Sequence, residues 1–300
     1  MTRRQALIGA LVTGGVLAGC RFAGATPPPA TADSDFAALE HRHGARIGVW
    51  ALDLGTGQTL GYRPDDGQAM CSTFKTYAVG RVLHMVAGGA LDLNSAIPIT
   101  AGDIVVDSPV TSKRVGTSMS LAELCEAALV FSDNSAGNAL LRSIGGPPAI
   151  TSFARSLGDN QTRLDRWEPD LNSALPGDPR DCTTPRALAT GYRALMVGDA
   201  LDPPSRDRLL SWMQANVTSD KRFRAGLPPG WTSADKTGAG DFGVTNDAGL
   251  LIGPTGQRIL VAVLTRSAED RMDAPRLNDA IADIVRLTLA RWGHHQGETP

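Results

Sequence analysis

The sequence contains few aromatic residues and carries almost no net charge. Aromatic side chains make up 5% of the 300 residues, and 29 Lys and Arg against 31 Asp and Glu leave a formal net charge of -2. Proteins that bind nucleic acid usually carry a basic patch and use aromatic rings for stacking. We therefore expect no nucleic-acid partner.

Long apolar runs are also missing from the sequence after residue 30. A transmembrane helix needs about 20 consecutive apolar residues, and no later stretch has them. The first 19 residues differ, because adjacent Arg3 and Arg4 precede an apolar run over Ala6–Ala18. This is the pattern of an export signal, and the arginine pair is typical of the twin-arginine route. We interpret residues 1–19 as that signal and expect an exported protein.

The signal ends in "LAGC", which resembles a bacterial lipobox. The resemblance implies cleavage before Cys20 and a lipid on its sulfur, and this lipid would be the protein's only contact with a membrane. The alternative is a plain secretory signal that contains a cysteine, which would give a secreted protein. Residues 20–33 then read "CRFAGATPPPATAD", the composition of a flexible tether.

Cysteine and histidine are too sparse and too scattered for a metal site. After Cys20 only Cys71, Cys125 and Cys182 remain, an odd number without CxxC spacing. We interpret them as buried free thiols. No HxxH pair or spaced His/Cys cluster occurs, so we expect neither a metal nor a cofactor.

Strand patterns lie at the two ends of the chain and helical patterns lie between them. "SDFAALEHRH" predicts a helix with Ser34 as a possible cap, and two apolar runs around "LGTGQ" predict a hairpin. Helical periodicity dominates from about 70 to 215 and includes a capping box at Ser120 and Glu123. Strand patterns return after 230, before a C-terminal helix from about Arg276 to Trp292.

This order predicts an α+β fold, in which terminal strands form one antiparallel sheet and the middle forms an all-helical lobe. We assign residues 34–66 and 216–296 to the sheet lobe and 67–215 to the helical lobe. Within the latter, residues 163–181 have weak periodicity but offer Trp167 and Leu171 for packing. An ordered Ω-loop fits such a segment.

A serine and a lysine stand three residues apart in "AMCSTFKTYAVG". On a helix, Ser72 and Lys75 share one face, and Ser72 lies near the positive end of the helix dipole. A serine nucleophile needs an adjacent base, and a lysine serves only if its pKa is lowered. The structural alternative is a capping serine beside a surface lysine.

Three further stretches make that alternative hard to maintain. "SDN" stands at 132–134, "KTG" at 236–238, and "WEPDLN" supplies Glu168 and Asn172. Each alone could be a polar turn, a strand end or a solvated loop. Together, in this order and at these distances, they resemble the class A serine β-lactamases. The resemblance extends to "SPVT" at 108–111 and to "DKTGAGD" at 235–241.

The resemblance implies a fold and a set of catalytic roles. The fold would be an α/β sandwich with a five-stranded antiparallel sheet, beside an all-α lobe. Ser72 would attack the β-lactam carbonyl, and Lys75 would relay or accept its proton. Ser132 would protonate the leaving nitrogen. Glu168, positioned with Asn172, would activate the water that releases the product. Whether Lys75 or the Glu168–water pair is the acylation base stays open.

The resemblance also implies how substrate is held. Asn134 would hold the acylamide side chain, and Lys236 and Thr237 would face the carboxylate, with Gly238 beside them. The backbone N–H groups of Ser72 and Ala239 would form the oxyanion hole. Arg166 and Asp181 would pair across the neck of the Ω-loop, and the Glu168–Pro169 bond would be cis. The protein would act as a monomer on small β-lactams.

Several positions depart from the common pattern of that family. Thr245 stands where many members have an arginine, and we expect Arg222 to supply that charge. Asp107 stands where an aromatic residue is usual. Val79 replaces the cysteine that would pair with Cys125, so that disulfide should be absent. Gly240 stands where carbapenem-hydrolysing members have a cysteine opposite the residue before the nucleophile, so efficient carbapenem hydrolysis is not indicated.

Two other functions remain open from the sequence. A penicillin-binding peptidase would share SxxK, SDN and KTG but would lack the deacylating glutamate. A lipid-anchored β-lactam sensor would be acylated and stay so. The presence of Glu168 and Asn172 favours hydrolysis, and therefore β-lactam resistance, over both.

Overall fold

The structure, a computed structural model, describes residues 30–294, which contain nine α-helices and nine β-strands. The helices are α1 (Ala30–His43), α2 (Phe74–Ala87), α3 (Leu121–Val130), α4 (Asn134–Ile144), α5 (Pro147–Ser156), α6 (Pro185–Met196), α7 (Pro203–Gln214), α8 (Phe223–Gly226) and α9 (Asn278–Arg291). The strands are β1 (Ala45–Asp53), β2 (Thr59–Tyr62), β3 (Gln68–Ala69), β4 (Ala96–Pro98), β5 (Ser118–Ser120), β6 (Cys182–Thr183), β7 (Thr232–Ala239), β8 (Thr245–Ile252) and β9 (Arg258–Ser267).

Five of these strands form one antiparallel sheet in the order β2-β1-β9-β8-β7. Strand β1 lies directly against β9, with Ala45 opposite Ser267 and Asp53 opposite Ile259. The predicted five-stranded sheet from the two ends of the chain is therefore confirmed.

The sheet separates two hydrophobic cores because alternate residues of a strand face opposite sides. In β9, Val261 and Val263 pack with Ile284 of α9 in the smaller core. Their neighbours Leu260 and Leu264 pack in the larger core with the helices of the middle segment. Helices thus cover both faces of the sheet, and the larger core joins the sheet to the helical lobe.

The lobe boundaries proposed from the sequence fall between elements. The first, at 66/67, lies between β2 and β3, and the second, at 215/216, lies directly after α7. The helical lobe also contains two short ladders, β3 with β6 and β4 with β5, that the sequence did not predict. Strands of two or three residues are too short to show a period-2 pattern.

Two predictions about local structure had different outcomes. The capping box is confirmed, since Ser120 Oγ accepts from Glu123 N at 3.2 Å and Glu123 Oε2 accepts from Ser120 N at 2.7 Å. The cap at Ser34 is wrong, because α1 begins at Ala30 and Ser34 lies inside it. Alanine is the strongest helix former, and the alanines before Ser34 extend the helix.

The cysteines within the described range carry free thiols, including Cys125 near Val79 in the larger core. Cys71 and Cys125 are buried as predicted, but Cys182 is only half-buried, so that part of the prediction is wrong. Over residues 30–294, no helix is long and apolar enough to span a membrane. In the same range no cluster of three or more His, Cys, Asp or Glu side chains could hold a metal ion.

Candidate active site

Ser72 lies in a tight 3-10 turn, Cys71–Thr73, that leads into α2. The residue before it, Cys71, has a φ of 46°, a left-handed conformation that costs energy in any residue other than glycine. The turn places Ser72 on the wall of a cavity of about 650 Å³ between the two lobes. Ser132 and Asn134 line this cavity from the helical lobe, and Thr237 and Ala239 line it from β7.

The Lys75 amine is fully buried and lies within reach of four acceptors. Its Nζ is 2.9 Å from Ser72 Oγ and 3.0 Å from Glu168 Oε1. It also lies 2.8 Å from the Ser132 carbonyl and 2.7 Å from Asn134 Oδ1. An ammonium has three protons for these four oxygens. Lys75 therefore ties the nucleophile to both the SDN segment and the Ω-loop.

Glu168 reaches the same serine hydroxyl beside the Lys75 amine. Ser72 Oγ donates to Glu168 Oε1 at 3.2 Å, so its hydroxyl contacts an amine and a carboxylate together. Asn172 Nδ2 donates to Glu168 Oε2 at 2.5 Å, while Asn172 Oδ1 is buried and has no partner among the described residues. Asn172 thus holds the Glu168 carboxylate and keeps one acceptor oxygen free.

Asn138 on α4 fixes the backbone of Glu168. Its Oδ1 accepts from Glu168 N at 3.0 Å and its Nδ2 donates to Glu168 O at 2.9 Å. Sequence analysis missed this residue. The available signal was spacing, since Asn138 stands four residues after Asn134 and so shares its helix face.

The neck of the Ω-loop is closed by the predicted pair. Arg166 Nε lies 2.5 Å from Asp181 Oδ2, and the Asp181 side chain is fully buried. Asp181 Oδ1 also accepts from the backbone N–H groups of Asp165 and Arg166, at 2.7 and 2.9 Å. The Glu168–Pro169 bond is cis, as predicted.

The SDN segment is held by its central residue. Asp133 Oδ1 caps α4 by accepting from Ala136 N at 2.8 Å, and Oδ2 accepts from Val110 N and Thr111 N at 2.9 Å each. Ser132 and Asn134 are thereby positioned on either side of a buried, fully bonded carboxylate. Asn134 Nδ2 donates to Val106 O at 3.0 Å, which leaves its second proton available.

Lys236 on β7 is a second buried amine, and its Nζ donates to Ser132 Oγ at 3.0 Å. Burial, and then the neighbouring Lys75, lower the pKa of the Lys236 amine well below its usual value. Beside it, Thr237 Oγ1 lies 2.5 Å from Thr218 Oγ1. Thr218 also lines the cavity, and sequence analysis missed it.

Arg222 lies behind β7 and is 9% exposed. Its Nη1 donates to the carbonyls of Gly238 and Asn246, both at 2.9 Å, and burial lowers the pKa of its guanidinium. Thr245 is buried and donates to Gly243 O, and its neutral hydroxyl supplies no charge. Arg222 and Arg276 both line the cavity. Sequence analysis named the first and missed the second.

Two glycines let β7 approach the nucleophile and the Ω-loop. A Cβ on Gly238 would lie 2.7 Å from Met70 O, and one on Gly240 would lie 2.6 Å from Asn172 O and 2.8 Å from Cys71 Sγ. Real Cβ atoms essentially never come so close to a backbone oxygen, so any other residue at either position would force the facing atoms to shift. Gly240 and Cys71 do lie against each other, as the resemblance implied.

A lysine and a carboxylate that share one buried serine hydroxyl define a serine hydrolase of the acyl-transfer type. Comparison with known proteins then gives the family. Residues 31–292 match the model of the "Beta-lactamase enzyme family". The chain is 47% identical to β-lactamase AST-1 of Nocardia asteroides over 266 residues, which cover 88% of this chain and 84% of that protein. It is 45% identical to β-lactamase FAR-1 of Nocardia farcinica over 260 residues, 86% and 82% of the two chains.

A solved structure agrees with this result. The class A β-lactamase described as the last common ancestor of Gram-negative bacteria (GNCA4) superposes with a TM-score of 0.84 at 49% identity, covering 88% of this chain and all of that one. The chain belongs to the β-lactamase family, and it is a class A serine β-lactamase.

Arg222→Ala should lower kcat/KM for penicillins about five- to thirtyfold, mainly through KM. The reason is the loss of about 1–2 kcal/mol of interaction with a charged substrate group. Steady-state kinetics with benzylpenicillin test this. Arg193→Ala, which removes an exposed arginine outside the cavity, is the matched control. Equal kinetics for both variants would show that Arg222 does not contribute to substrate binding.

Proposed function

We propose that the protein hydrolyses the β-lactam amide of penicillins and cephalosporins through an acyl-enzyme on Ser72. The observation that carries the proposal is the position of Ser72 Oγ, 2.9 Å from Lys75 Nζ and 3.2 Å from Glu168 Oε1. A hydroxyl in that position can lose its proton as it attacks the lactam carbonyl. Hydrolysis of this kind confers β-lactam resistance on the cell.

In the acylation step, Ser72 Oγ bonds to the carbonyl carbon and the ring C–N bond breaks. The backbone N–H groups of Ser72 and Ala239, which both line the cavity, would stabilise the oxyanion. The proton of Ser72 moves to Lys75 when that side chain is a neutral amine or, through a water, to the Glu168 carboxylate. Ser132 delivers a proton to the leaving nitrogen, and Lys236 Nζ, which donates to Ser132 Oγ, can reprotonate it.

In the deacylation step, Glu168 acts as the general base for water. Its Oε2 and the unpartnered Asn172 Oδ1 can both accept from one water molecule between them. Removal of a proton by Glu168 lets that water attack the ester carbonyl. Glu168 then returns that proton to the Ser72 oxygen as the ester C–O bond breaks, and the free enzyme is restored.

The cationic end of the cavity suits the carboxylate that penicillins and cephalosporins share. Lys236, Thr237 and Arg222 would bind it, since a carboxylate prefers charge-assisted donors. Gly238 keeps the strand close enough to the nucleophile for this contact. The free proton of Asn134 Nδ2 would hold the carbonyl of the acylamide.

A β-lactam sensor or a penicillin-binding peptidase would behave differently from a hydrolase towards one reagent. Protein comprising residues 30–300, which keeps all of α1, is mixed with a chromogenic cephalosporin in large excess. We expect sustained turnover, because Glu168 and Asn172 are in place. A single stoichiometric burst would indicate a sensor or a penicillin-binding peptidase and would contradict the proposal.

We further propose that the protein is exported by the twin-arginine route and stays at the cell envelope as a monomer with a lipid on Cys20. The support is the sequence alone, since residues 1–29 lie outside the described residues.

Cys20→Ala should release active enzyme from the membrane fraction or block processing, because the proposed acylation needs the sulfur. Nitrocefin activity in membrane and soluble fractions measures this, with Cys182→Ala as the control thiol. Wild-type protein found wholly soluble and without lipid on Cys20 would contradict the proposal.

A further inference from the structure

The charged side chains that line the active-site cavity are divided between its two walls. Arg222 and Arg276 lie on the wall built around β7, whereas Asp107 lies on the wall of the helical lobe. The Asp107 side chain is exposed and forms no hydrogen bond or ion pair with any other residue in the described part of the chain. The mechanism proposed above gives this carboxylate no role.

The backbone around Asp107 is held firmly, so the residue has a defined place on the cavity wall. Asp107 has a φ of 58°, a left-handed conformation that aspartate tolerates better than most residues. Its carbonyl accepts from Asn134 N at 3.0 Å. On either side of it, Val105 N donates to Ser135 Oγ and Val110 N donates to Asp133 Oδ2, both at 2.9 Å. The turn is therefore tied to Asp133 and Asn134 of the SDN segment and to Ser135, which follows it.

These ties place Asp107 beside the residue proposed to hold the acylamide. With the substrate carboxylate at the cationic wall and the lactam carbonyl at Ser72, the amide of the acylamino group would lie at Asn134. The substituent beyond that amide then extends along the helical wall, where Asp107 is the one charged lining residue among those described.

We propose that Asp107 selects β-lactams whose acylamino side chain carries a positive charge. This inference rests on the proposed function. A carboxylate without a partner attracts a cation, leaves a neutral group unaffected and repels an anion. Because the site is open to water, each effect is roughly two- to fivefold in kcat/KM, the range of exposed ion pairs.

Three penicillins with the same nucleus test the inference. Ampicillin carries an α-amine, benzylpenicillin is neutral at that position, and carbenicillin carries an α-carboxylate. At pH 6.5 the amine is protonated, since α-amino groups titrate near 7.7–8.0. For Asp107→Asn we expect the ratio of kcat/KM for ampicillin to that for carbenicillin to fall roughly four- to twentyfold, with benzylpenicillin unchanged. Added salt should reduce the wild-type ratio but not the variant's.

Asp199→Asn is the matched control, because it removes one exposed carboxylate outside the cavity. Asp107→Lys should invert the preference. An unchanged ratio in Asp107→Asn, or an equal loss for all three penicillins, would overturn the inference. If the wild type turns over none of the three penicillins, the proposed function fails instead.

Discussion

Glu168→Gln should leave the enzyme able to be acylated but almost unable to release the product. The substitution keeps the size of the side chain and removes the base that activates water. General-base catalysis contributes about 10²–10⁴ in rate, so we expect kcat to fall by that factor. Mass spectrometry of the variant with benzylpenicillin should show the intact adduct on Ser72.

The accumulated adduct is the diagnostic result, because acylation can slow as well. Glu168 Oε1 contacts both Ser72 Oγ and Lys75 Nζ. In the variant, the glutamine NH2 group could face the Ser72 hydroxyl or the Lys75 amine, which are themselves donors, or Lys75 could change its position. Ser72→Ala, which has no nucleophile, is the control and should carry no adduct. If Glu168→Gln turned over penicillin at the wild-type rate, deacylation would not use this residue.

Asp181→Asn should destabilise the protein and slow deacylation together. Asparagine tolerates the left-handed φ of 54° and can still accept the two backbone bonds, but it presents an amide to Arg166 Nε. Breaking a buried pair costs about 3–5 kcal/mol, and we expect about 3 here because Arg166 keeps some solvent contact. The melting temperature should fall by roughly 6 °C.

The kinetic part of that prediction depends on the Ω-loop. If the neck opens, Glu168 and Asn172 lose their fixed positions, so penicillin should again accumulate as an adduct, to a lesser degree than in Glu168→Gln. Asp170→Asn, an exposed acid in the same loop, is the control and should resemble wild type. A stable Asp181→Asn variant with normal kcat would show that the ion pair does not hold the loop.

The fold was predictable where the sequence pattern was long. Strands of eight to ten residues at both ends show clear apolar patterning, and the hairpin, β7, β8 and β9 were all expected. Of the site, the residues that the family motifs name could be found because motif and spacing together are specific. Their roles remain predictions until the variants above are measured.

The missed residues share a physical reason. Asn138 binds the backbone of a loop 30 residues away, and Thr218 meets Thr237 only because the chain folds back beside β7. Arg276 is held at the cavity wall because its guanidinium donates to Gly240 O and Val244 O. Such contacts depend on tertiary distance and leave no periodic pattern in the sequence.

The pairing of β1 with β9 has a consequence for the order in which the chain can fold. The centre of the sheet joins residues 45–53 to residues 259–267, so it cannot form until nearly all of the chain has been synthesised. Contacts so distant in sequence make folding slow, since a long loop must close before the pairing stabilises it. Strand β1 can pair with β2 early, but its other edge has no partner until β9 is made, so a partly made chain would expose a bare β-edge to aggregation.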